Sequence, residues 1–373
     1  RETVRDLDII ATATDPDALV DYFCSLRFVV DVAAKGTTKA TVVSQEGLRF
    51  DLRVVPPESY GNLLQHFTGS KHHNVALRED AVRRGYSVSE YSITDVESGE
   101  EHRFAREEDV YRFLGYDWIP PELREGGAEL AAARTGVLPK LVELADLRGD
   151  LHTHTTWSDG KDTLEDMVAA AQLRGYAYYA ICDHSQRLRG DRLHRQSEAI
   201  DTLNERVAPF RILKGIEANI RPDGTLDVDD AGLATLDWVV ASSHSRFDHN
   251  PTERIVAAME NPYVDCIGHP TGRRISKRRP APIDLDRVIE KALETGTFLE
   301  LNSQPDRLDL SDVHARAARE AGLKLVIDSD GHKIGALDYV ELGIGQARRA
   351  WLTKDDVVNT RTWKQIEGLR KKR

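Results

Sequence analysis

The chain has few cysteines and methionines and no long uninterrupted apolar run. Its three cysteines, Cys24, Cys182 and Cys266, are an odd number without CxxC spacing, which argues against a disulfide framework and indicates a reducing compartment. Nothing in the 373 residues resembles a membrane-spanning segment or a signal peptide. We therefore predict a cytoplasmic protein that does not act at a membrane. With 40% hydrophobic and 30% charged residues, the composition is typical of a globular protein of two or three domains.

The chain also lacks an excess of positive charge, since its formal net charge is −11. This total argues at first against nucleic-acid binding, but cations bound at a metal site offset part of such a charge. The bases that are present concentrate in two runs. One predicted loop holds Arg273, Arg274, Lys277, Arg278 and Arg279, and the chain ends with Arg370 to Arg373. Either run is a solvated surface or a contact for a polyanion, and the sequence leaves both interpretations open.

Six histidines and three carboxylates follow short apolar runs in the last two thirds of the chain. They are His152, His154, Asp159, His184, Glu217, His244, His269, Asp330 and His332. Imidazole and carboxylate together suit Zn²⁺, Mn²⁺ or Fe²⁺. Nine ligands are too many for one ion, so the pattern predicts a cluster of two or three metals. Such clusters usually hydrolyse phosphoesters, because coordinated water ionises near neutral pH.

Seven predicted strands alternate with helices in the same region. The strands are Leu147–His154, Ala177–Asp183, Arg211–Glu217, Asp237–Ser243, Val264–His269, Thr297–Asn302 and Lys324–Asp330, with helical segments at 163–174, 192–207, 251–260, 284–295 and 311–321. Strands separated by helices pair in parallel through right-handed crossovers, so we predict an α/β fold with a closed or nearly closed barrel. Six of the seven strands deliver metal-type ligands at their carboxyl ends, where barrel enzymes build their active sites.

Spacing within two of these strands narrows the choice of ligands. His152 and His154 lie on one side of an extended chain, because strand side chains repeat every two residues. Asp330 and His332 repeat this arrangement at the last strand. We therefore prefer Asp330 to Asp328 as a ligand.

Several neighbours of the ligands have predicted supporting roles. Asp183 precedes His184, and we expect it to orient that imidazole. Arg187, Arg189 and Arg246 follow ligand strands, and we predict that they hold substrate phosphates.

The C-terminal region resembles the polymerase and histidinol phosphatase domain, the PHP domain. The resemblance rests on the strings GDLHTH from Gly149, SDG from Ser158, CDH from Cys182, GIE from Gly215, SH from Ser243, GHP from Gly268 and DGH from Asp330. All nine metal-ligand positions of that family find a matching residue type here, over about 149–345. The resemblance implies a distorted (β/α)7 barrel, a trinuclear site and phosphoesterase activity with zinc, manganese or iron.

The first third of the chain predicts a different, α+β fold. Four strands, Leu7–Ala13, Phe28–Ala34, Ala40–Ser44 and Leu48–Val55, are expected to pair antiparallel around a helix at 15–26. Residues 59–114 are predicted to be mostly helical, with a short β segment near 91–104. The proline- and glycine-containing stretch Trp118–Pro139 is typical of a linker.

Three carboxylates in this part have the spacing of a two-metal site. Asp6 and Asp8 share one face of a strand, and Asp51 lies on another extended run. Brought together, they can hold two Mg²⁺ ions for nucleotidyl transfer. Surface aspartates that bind nothing are the alternative.

The segment from Glu2 to Ile9 resembles the catalytic palm strand of family X DNA polymerases. Phe67, Gly69, Ser70, Asn74 and Arg78 resemble the place where that palm passes into the thumb and contacts the incoming nucleotide, and Tyr111–Pro121 resembles the thumb end. The order palm, thumb, linker and PHP domain is that of the bacterial members. The resemblance implies a partial palm at 1–58, a thumb at 59–120, a linker at 121–147, the PHP domain at 148–345 and a basic tail at 346–373.

The polymerase part departs from the family pattern. Arg5 stands where the family has glycine before its first aspartate, and His66 where tyrosine is common. The lyase-like domain, the fingers and the upstream Gly-Ser motif are not in this sequence, so we expect an N-terminal part to be missing. We therefore expect weak or no polymerase activity, with Mg²⁺ at the palm if it is active.

The resemblance implies a DNA repair enzyme whose PHP domain is a metal-dependent 3′–5′ exonuclease. Abasic-site endonuclease and 3′-phosphatase activity stay open, as does the identity of the metal. Its partners would be gapped or 3′-ended DNA, contacted by Arg273 and Arg274 among others, and deoxynucleotides if the palm functions. A monomer is expected.

Two alternatives are a small-molecule phosphatase of the histidinol phosphate type and a DNA-binding module with an inactive site. A palm and a thumb argue against the first alternative, because a metabolic phosphatase has no use for them. The complete ligand set argues against the second.

Overall fold

The computed structural model describes residues 2–371, which form two compact units divided between Leu138 and Pro139. Within that range, no helix combines the length and the apolar character that crossing a bilayer requires.

The first unit begins with a four-stranded sheet in the order β1-β4-β3-β2. Its elements are β1 (Asp6–Ala11), α1 (Pro16–Cys24), β2 (Val29–Lys35), β3 (Lys39–Ser44) and β4 (Arg49–Val54). Strands β2, β3 and β4 pair antiparallel as predicted, but β1 pairs parallel with β4, so the prediction was wrong for this strand. The cause is α1, which carries the chain back between β1 and β2 so that both strands run in the same direction.

One face of this sheet is covered by α1. Val20 and Phe23 of the helix are buried against Ala40, Val42 and Leu52 of the sheet. Asp15 caps the helix, since its carboxylate accepts a hydrogen bond from the Ala18 N–H at 3.0 Å. The strand that carries Asp6 and Asp8 lies at the sheet edge.

The remainder of the first unit is mainly helical. It comprises α2 (Tyr60–Thr68), α3 (Lys71–Arg83), a small sheet of β5 (Tyr86–Val88), β6 (Ile93–Asp95) and β7 (Glu101–His102), α4 (Glu107–Phe113) and α5 (Glu129–Thr135), with 3-10 turns at Pro57–Ser59 and Pro121–Leu123. The predicted helices and the short β segment are confirmed.

Part of the segment expected to be a linker over 121–147 is folded into this unit. The buried Arg124 guanidinium binds Glu107, with Nη2 2.8 Å from Oε2. Glu129 accepts hydrogen bonds from the N–H groups of Gly126 and Gly127 and approaches His73 Nδ1 at 2.9 Å. Buried charges need such partners, and these contacts hold the proline-rich segment against the helices.

The second unit contains seven strands in one parallel sheet, in the order β14-β13-β12-β11-β10-β9-β8. The strands are β8 (Gly149–Thr153), β9 (Tyr178–Ile181), β10 (Arg211–Asn219), β11 (Trp238–Ser242), β12 (Cys266–Ile267), β13 (Phe298–Asn302) and β14 (Leu325–Asp328). The helices are α6 (Leu164–Leu173), α7 (Arg192–Val207), α8 (Asp230–Leu233), α9 (Pro251–Glu260), α10 (Leu285–Thr295), α11 (Asp312–Glu320), α12 (Val340–Arg349) and α13 (Trp363–Glu367). The predicted βα alternation is confirmed strand by strand.

The first and last strands of this sheet approach each other, so the barrel is nearly closed. The His154 N–H donates to the Gly331 carbonyl at 2.9 Å, and Thr153 and Gly331 form a parallel bridge. The Leu151 N–H donates to Asp328 Oδ1 at 2.7 Å. These contacts bring the ends of β8 and β14 together and confirm the distorted (β/α)7 barrel.

The chain after 346 differs from the basic tail expected over 346–373, as far as it is described. Trp363 is buried with its ring 6.4 Å from that of Trp238, and Arg370 binds Asp265 with Nε 2.8 Å from Oδ1. The segment contains apolar residues that pack under the barrel strands, and this burial is why it folds. Lys372 and Arg373, the last two bases of the predicted tail, lie outside the described residues.

Asn359 joins this C-terminal segment to β8 and β14, the first and last strands of the barrel, and its loss should destabilise the second unit. Its buried amide donates to the carbonyls of Gly149 at 2.8 Å and Ile327 at 2.7 Å, and accepts from the Ile327 N–H at 3.1 Å. We predict that Asn359→Ala lowers the free energy of unfolding by about 2–4 kcal/mol, because buried backbone groups lose their partners. Urea unfolding measures this change. The exposed Lys364→Ala is the control, and equal stability of the two variants would contradict the assignment.

Candidate metal centre

The carboxyl ends of the barrel strands bring all nine predicted ligands into one place. His152 and His154 come from β8, His184 follows β9 and Glu217 lies on β10. The remaining ligands are delivered by the segments that follow β8, β11, β12 and β14, namely Asp159, His244, His269, Asp330 and His332. Parallel strands end at the same face of a barrel, which is why residues so far apart in sequence meet.

Glu217 lies at the centre of this cluster, and each of its oxygens faces a different set of imidazoles. Oε1 is 3.1 Å from His244 Nε2 and 3.0 Å from His269 Nε2. Oε2 is 2.8 Å from His184 Nδ1 and 3.6 Å from His152 Nε2. Both oxygens of Glu217 would therefore be available to help hold metal ions together with these imidazoles.

Three groups of ligand atoms are close enough for one ion each. The first combines His154, Asp159, His184 and His332, the second His152, His154 and Asp330, and the third His184, Glu217 and His244. His269 approaches the third group through Glu217. The groups share His154 and His184, so the ions they would hold are neighbours.

The donor set fits metal ions better than it fits a purely internal network. His152 Nε2, His154 Nδ1 and His269 Nδ1 are buried, and none has a hydrogen-bond partner within residues 2–371. Buried polar atoms are usually paired, so such atoms indicate a missing partner. His152 Nε2 lies among the carboxylates, 3.6 Å from Glu217 Oε2 and 3.8 Å from Asp330 Oδ1, where a shared cation would supply that partner.

Burial and neighbouring charges shift the pKa values of the ligands apart. Burial alone lowers the pKa of His332, but its hydrogen bond to Asp159 and the charge of Asp330 outweigh burial and raise that pKa to about 9. Burial lowers the pKa of His154 to about 3. The pKa of Glu217 is well below its usual range, because the surrounding imidazoles outweigh the effect of its burial.

Residues that the sequence analysis did not single out hold the ligand rings in place. Glu300, in the middle of β13, lies with Oε1 2.6 Å from His152 Nδ1. Asn219 Oδ1 is 2.6 Å from His244 Nδ1. Contacts of this kind fix the orientation of a ligand imidazole. A carboxylate between apolar residues of a buried strand was the signal for Glu300, and nothing comparable marks Asn219.

Asp183 has a role other than the one expected from its place before His184. Its carboxylate accepts from the Thr155 N–H at 2.8 Å, the Thr155 hydroxyl at 2.6 Å and Gln196 Nε2 at 2.6 Å, and also from the Ser158 hydroxyl. Asp183 therefore holds the loop that presents Asp159, and it does not orient His184.

A cavity of about 500 Å³ opens over the ligands. Four cationic side chains line it, namely Lys161, Arg274, Arg307 and Lys333. Gln304 and Tyr339 line it too. Of the two arginines expected to contact DNA, Arg274 lines the cavity. Arg273 does not: its Nε donates to the Arg307 carbonyl at 2.8 Å, and its Nη2 donates to the Leu308 carbonyl. Arg187, Arg189 and Arg246 are exposed on the loops around this face and do not line the cavity.

The palm-type carboxylates form a second acidic group, in the first unit. Asp8 on β1 lies beside Asp51 on β4 in the parallel register, and Asp6 is two residues away on the same face. Burial, together with the charges of Asp6 and Asp51, raises the pKa of Asp8. Burial raises the pKa of Asp51 too, but hydrogen bonds from Arg49 (3.1 Å) and Thr41 outweigh this effect and lower it.

The five predicted nucleotide-contact residues lie together around the junction of α2 and α3. Ser70 caps α3 by accepting from the His73 N–H at 3.1 Å. Asn74 Nδ2 donates to the His66 carbonyl at 2.6 Å, and Arg78 Nη2 is 2.9 Å from His66 Nδ1. Phe67 is next to His66 and carries Arg53 over its ring at 5.6 Å, and Gly69 precedes the cap.

Two family models match this chain. Residues 63–125 match the DNA polymerase beta thumb, and residues 150–304 match the PHP domain.

Curated relatives match in two ways. The chain is 42% identical to the DNA polymerase/3′-5′ exonuclease PolX of Bacillus subtilis strain 168, over 100% of this chain and 67% of that protein. It is 32% identical to a probable phosphatase of Thermoanaerobacter sp. strain X514, over 60% of this chain and 95% of that protein. A probable phosphatase of Acetivibrio thermocellus is also 32% identical, over 51% of this chain and 83% of its own length.

Protons compete with metal ions at this site, and the competition gives a pH-dependent affinity. With a pKa of about 9, His332 carries a proton at pH 7 that a metal must displace, because only neutral imidazole coordinates. We predict that the affinity for Zn²⁺ or Mn²⁺ rises between pH 7 and pH 9 and that binding at pH 7 releases protons. Calorimetry in buffers of different ionisation enthalpy measures the release.

His332→Ala should reduce this release by about one proton, whereas the exposed His249→Ala should leave it unchanged. A metal affinity that does not change from pH 7 to pH 9 would contradict the assignment of His332 as a ligand.

Proposed function

Because the chain belongs to the family X DNA polymerases that carry a PHP domain, we propose that its second unit hydrolyses DNA phosphodiesters as a metal-dependent 3′–5′ exonuclease. The observation that carries the proposal is the convergence of nine imidazole and carboxylate side chains at the carboxyl ends of the barrel strands. Eight of them form three groups that could each hold an ion, His269 contacts the third group through Glu217, and seven of the nine line one cavity. That cavity is open to solvent and bordered by cations, as a site for an anionic substrate requires.

We propose that the metal ligands are His152, His154, Asp159, His184, Glu217, His244, His269, Asp330 and His332. Two or three divalent ions held there would supply Lewis-acid activation of water and stabilisation of charge on the phosphate. Zinc, manganese and iron all suit mixed nitrogen and oxygen ligands. Glu300 and Asn219 would keep two of the ligand imidazoles in a fixed tautomer and orientation.

Both the relative and the cavity support DNA as the substrate. The Bacillus subtilis relative carries the exonuclease activity in its name and is similar along the whole of this chain. Arg274, Lys161 and Lys333 at the cavity rim would contact the phosphates of a strand end. Abasic-site cleavage and 3′-phosphatase activity use the same hydrolytic chemistry and belong to the same proposal.

For the first unit we propose a partial palm at 1–58 with Asp6, Asp8 and Asp51 as its carboxylates, and a thumb at 59–120. The Arg49 guanidinium donates to both oxygens of Asp51, at 3.1 and 3.2 Å, and an ion would have to compete with it. This competition supports weak or absent nucleotidyl transfer, with Mg²⁺ and deoxynucleotides as the ligands if transfer occurs. Phe67, Gly69, Ser70, Asn74 and Arg78 are the proposed nucleotide contacts. The monomeric state of the protein and its location in the cytoplasm stay predictions.

A small-molecule phosphatase is the second candidate. It is favoured by the probable phosphatases that match 60% or less of this chain, in each case over most of their own length. The substrates differ in their response to salt, because a DNA strand contacts several cations and a small monoester only a few. Affinity for DNA should therefore fall steeply with salt, whereas affinity for p-nitrophenyl phosphate should change little.

We predict that the Mn²⁺-loaded protein degrades a labelled DNA oligonucleotide from its 3′ end. His154→Ala should lower the rate by more than about 100-fold, since loss of a residue that only supports a metal ligand already costs about 10- to 100-fold. Asp8→Ala should leave the product ladder unchanged, because Asp8 belongs to the other unit. Gel analysis of the products over time provides the measurement.

Two outcomes would contradict the proposal. If the wild-type protein leaves DNA intact but releases phosphate from small monoesters, the phosphatase candidate is correct. If Asp8→Ala abolishes the ladder and His154→Ala does not, degradation arises at the palm and not at the barrel.

A further inference from the structure

Arg307 is the cation at the barrel mouth that is best prepared to bind an anion. It lies on the segment after β13, lines the same cavity as Glu217 and Asp330, and its side chain is only 11% exposed. Its guanidinium donates no hydrogen bond to any residue between 2 and 371, and its nearest carboxylate oxygen, Asp330 Oδ2, is 3.8 Å from Nε.

A guanidinium has five N–H donors, and those of Arg307 have no acceptor in the described part of the chain, although the side chain lines the cavity and is only 11% exposed. We propose that Arg307 binds the non-bridging oxygens of the scissile phosphate, which makes it a substrate-binding residue of the hydrolytic site. This inference deepens the proposed function and rests on it. The planar fork of an arginine matches two phosphate oxygens at once, which a lysine ammonium cannot do.

The backbone around Arg307 is held firmly, so its side chain starts from a fixed position. Asn302 and Asp309 form a two-way backbone bridge, with N–H to carbonyl distances of 2.6 and 3.1 Å. The buried Asp309 carboxylate accepts from the Thr271 N–H at 3.1 Å. A loop closed in this way loses little further entropy when the guanidinium meets a phosphate.

Arg273 completes this support. Its guanidinium donates to the carbonyls of Arg307 and Leu308, so it holds the backbone of these two residues in place. The sequence suggested Arg273 as a DNA contact, and the geometry points to a positioning residue for Arg307 instead.

The other cations of the cavity are less well prepared for the same task. Arg274 is 41% exposed in its side chain and lies 3.4 Å from Asp306. Lys161 and Lys333 are exposed. These side chains suit the phosphates of a longer strand, whereas Arg307 lies beside the metal ligand Asp330, where the reacting phosphate must lie.

Charge balance is the competing explanation for Arg307, because it is near a cluster of carboxylates. Two variants separate the explanations: Arg307→Lys keeps the charge and removes the fork, and Arg307→Gln removes both. The matched control is Arg206→Gln, which removes one exposed arginine from the last turn of α7, at the opposite end of the barrel from the site.

The first measurement is calorimetric binding of inorganic phosphate to the Mn²⁺-loaded protein, together with its metal content and melting temperature. The second is the steady-state hydrolysis of thymidine 5′-(p-nitrophenyl phosphate). We expect both Arg307 variants to bind phosphate at least tenfold more weakly, with a higher KM and a lower kcat, while metal content and melting temperature match those of wild type. Arg206→Gln should behave as wild type throughout.

Wild-type phosphate affinity in Arg307→Lys would overturn the proposal in favour of charge balance. Unchanged phosphate affinity with reduced metal content in Arg307→Gln would overturn it in favour of a role at the ions. If wild type binds phosphate through Arg307 but leaves DNA intact, the exonuclease proposal fails and the Arg307 assignment stands. If all variants degrade DNA equally well and bind phosphate equally, the Arg307 assignment alone fails.

Discussion

The buried carboxylate of Glu217 is the feature on which the barrel mouth depends. A charged carboxylate loses several kcal/mol of hydration on burial, so it persists only where partners compensate for that loss. Here the compensation comes from imidazoles delivered by separate segments of the barrel, within 3.1 Å for His184, His244 and His269. The strands must therefore end at the same level along the barrel axis and lie in the observed order, so that these imidazoles reach Glu217. The contact between β8 and β14 adds the remaining ligands to the same point.

Much of this arrangement could be predicted from two repeating patterns in the sequence: the alternation of strands with helices, and the two-residue repeat of side chains along a strand. Alternating strands and helices indicate a parallel barrel, and ligand-type residues at strand ends must then meet on one face. The pair His152 and His154 was predictable from the two-residue repeat alone. Glu217 was predictable because a lone carboxylate at the end of an apolar strand needs a partner.

Other features depend on contacts that sequence spacing does not encode. The parallel pairing of β1 with β4 follows from where α1 crosses the sheet, and strands of either direction have the same local pattern. The contact of Asn219 with His244 and the position of Arg307 depend on loops whose conformations are set by tertiary hydrogen bonds. The C-terminal segment was taken for a tail because its last residues are basic, but the buried Trp363 decides its position.

The two units differ in how their acidic groups are compensated, and this difference separates their chemistry. The barrel surrounds its carboxylates with imidazoles that can exchange protons for metal ions. The sheet of the first unit instead pairs Asp51 with Arg49 and Thr41, which are not metal ligands, and leaves Asp8 with a raised pKa. An ion beside Asp51 would have to displace an internal partner. The hydrolytic barrel is therefore the better prepared of the two sites.

Anomalous X-ray scattering from crystals grown with Mn²⁺ would test the central claim most directly. The account predicts two or three adjacent peaks, each next to the ligand atoms of one of the three groups. Peaks absent from these groups, or a single ion bound at the protein surface, would contradict it.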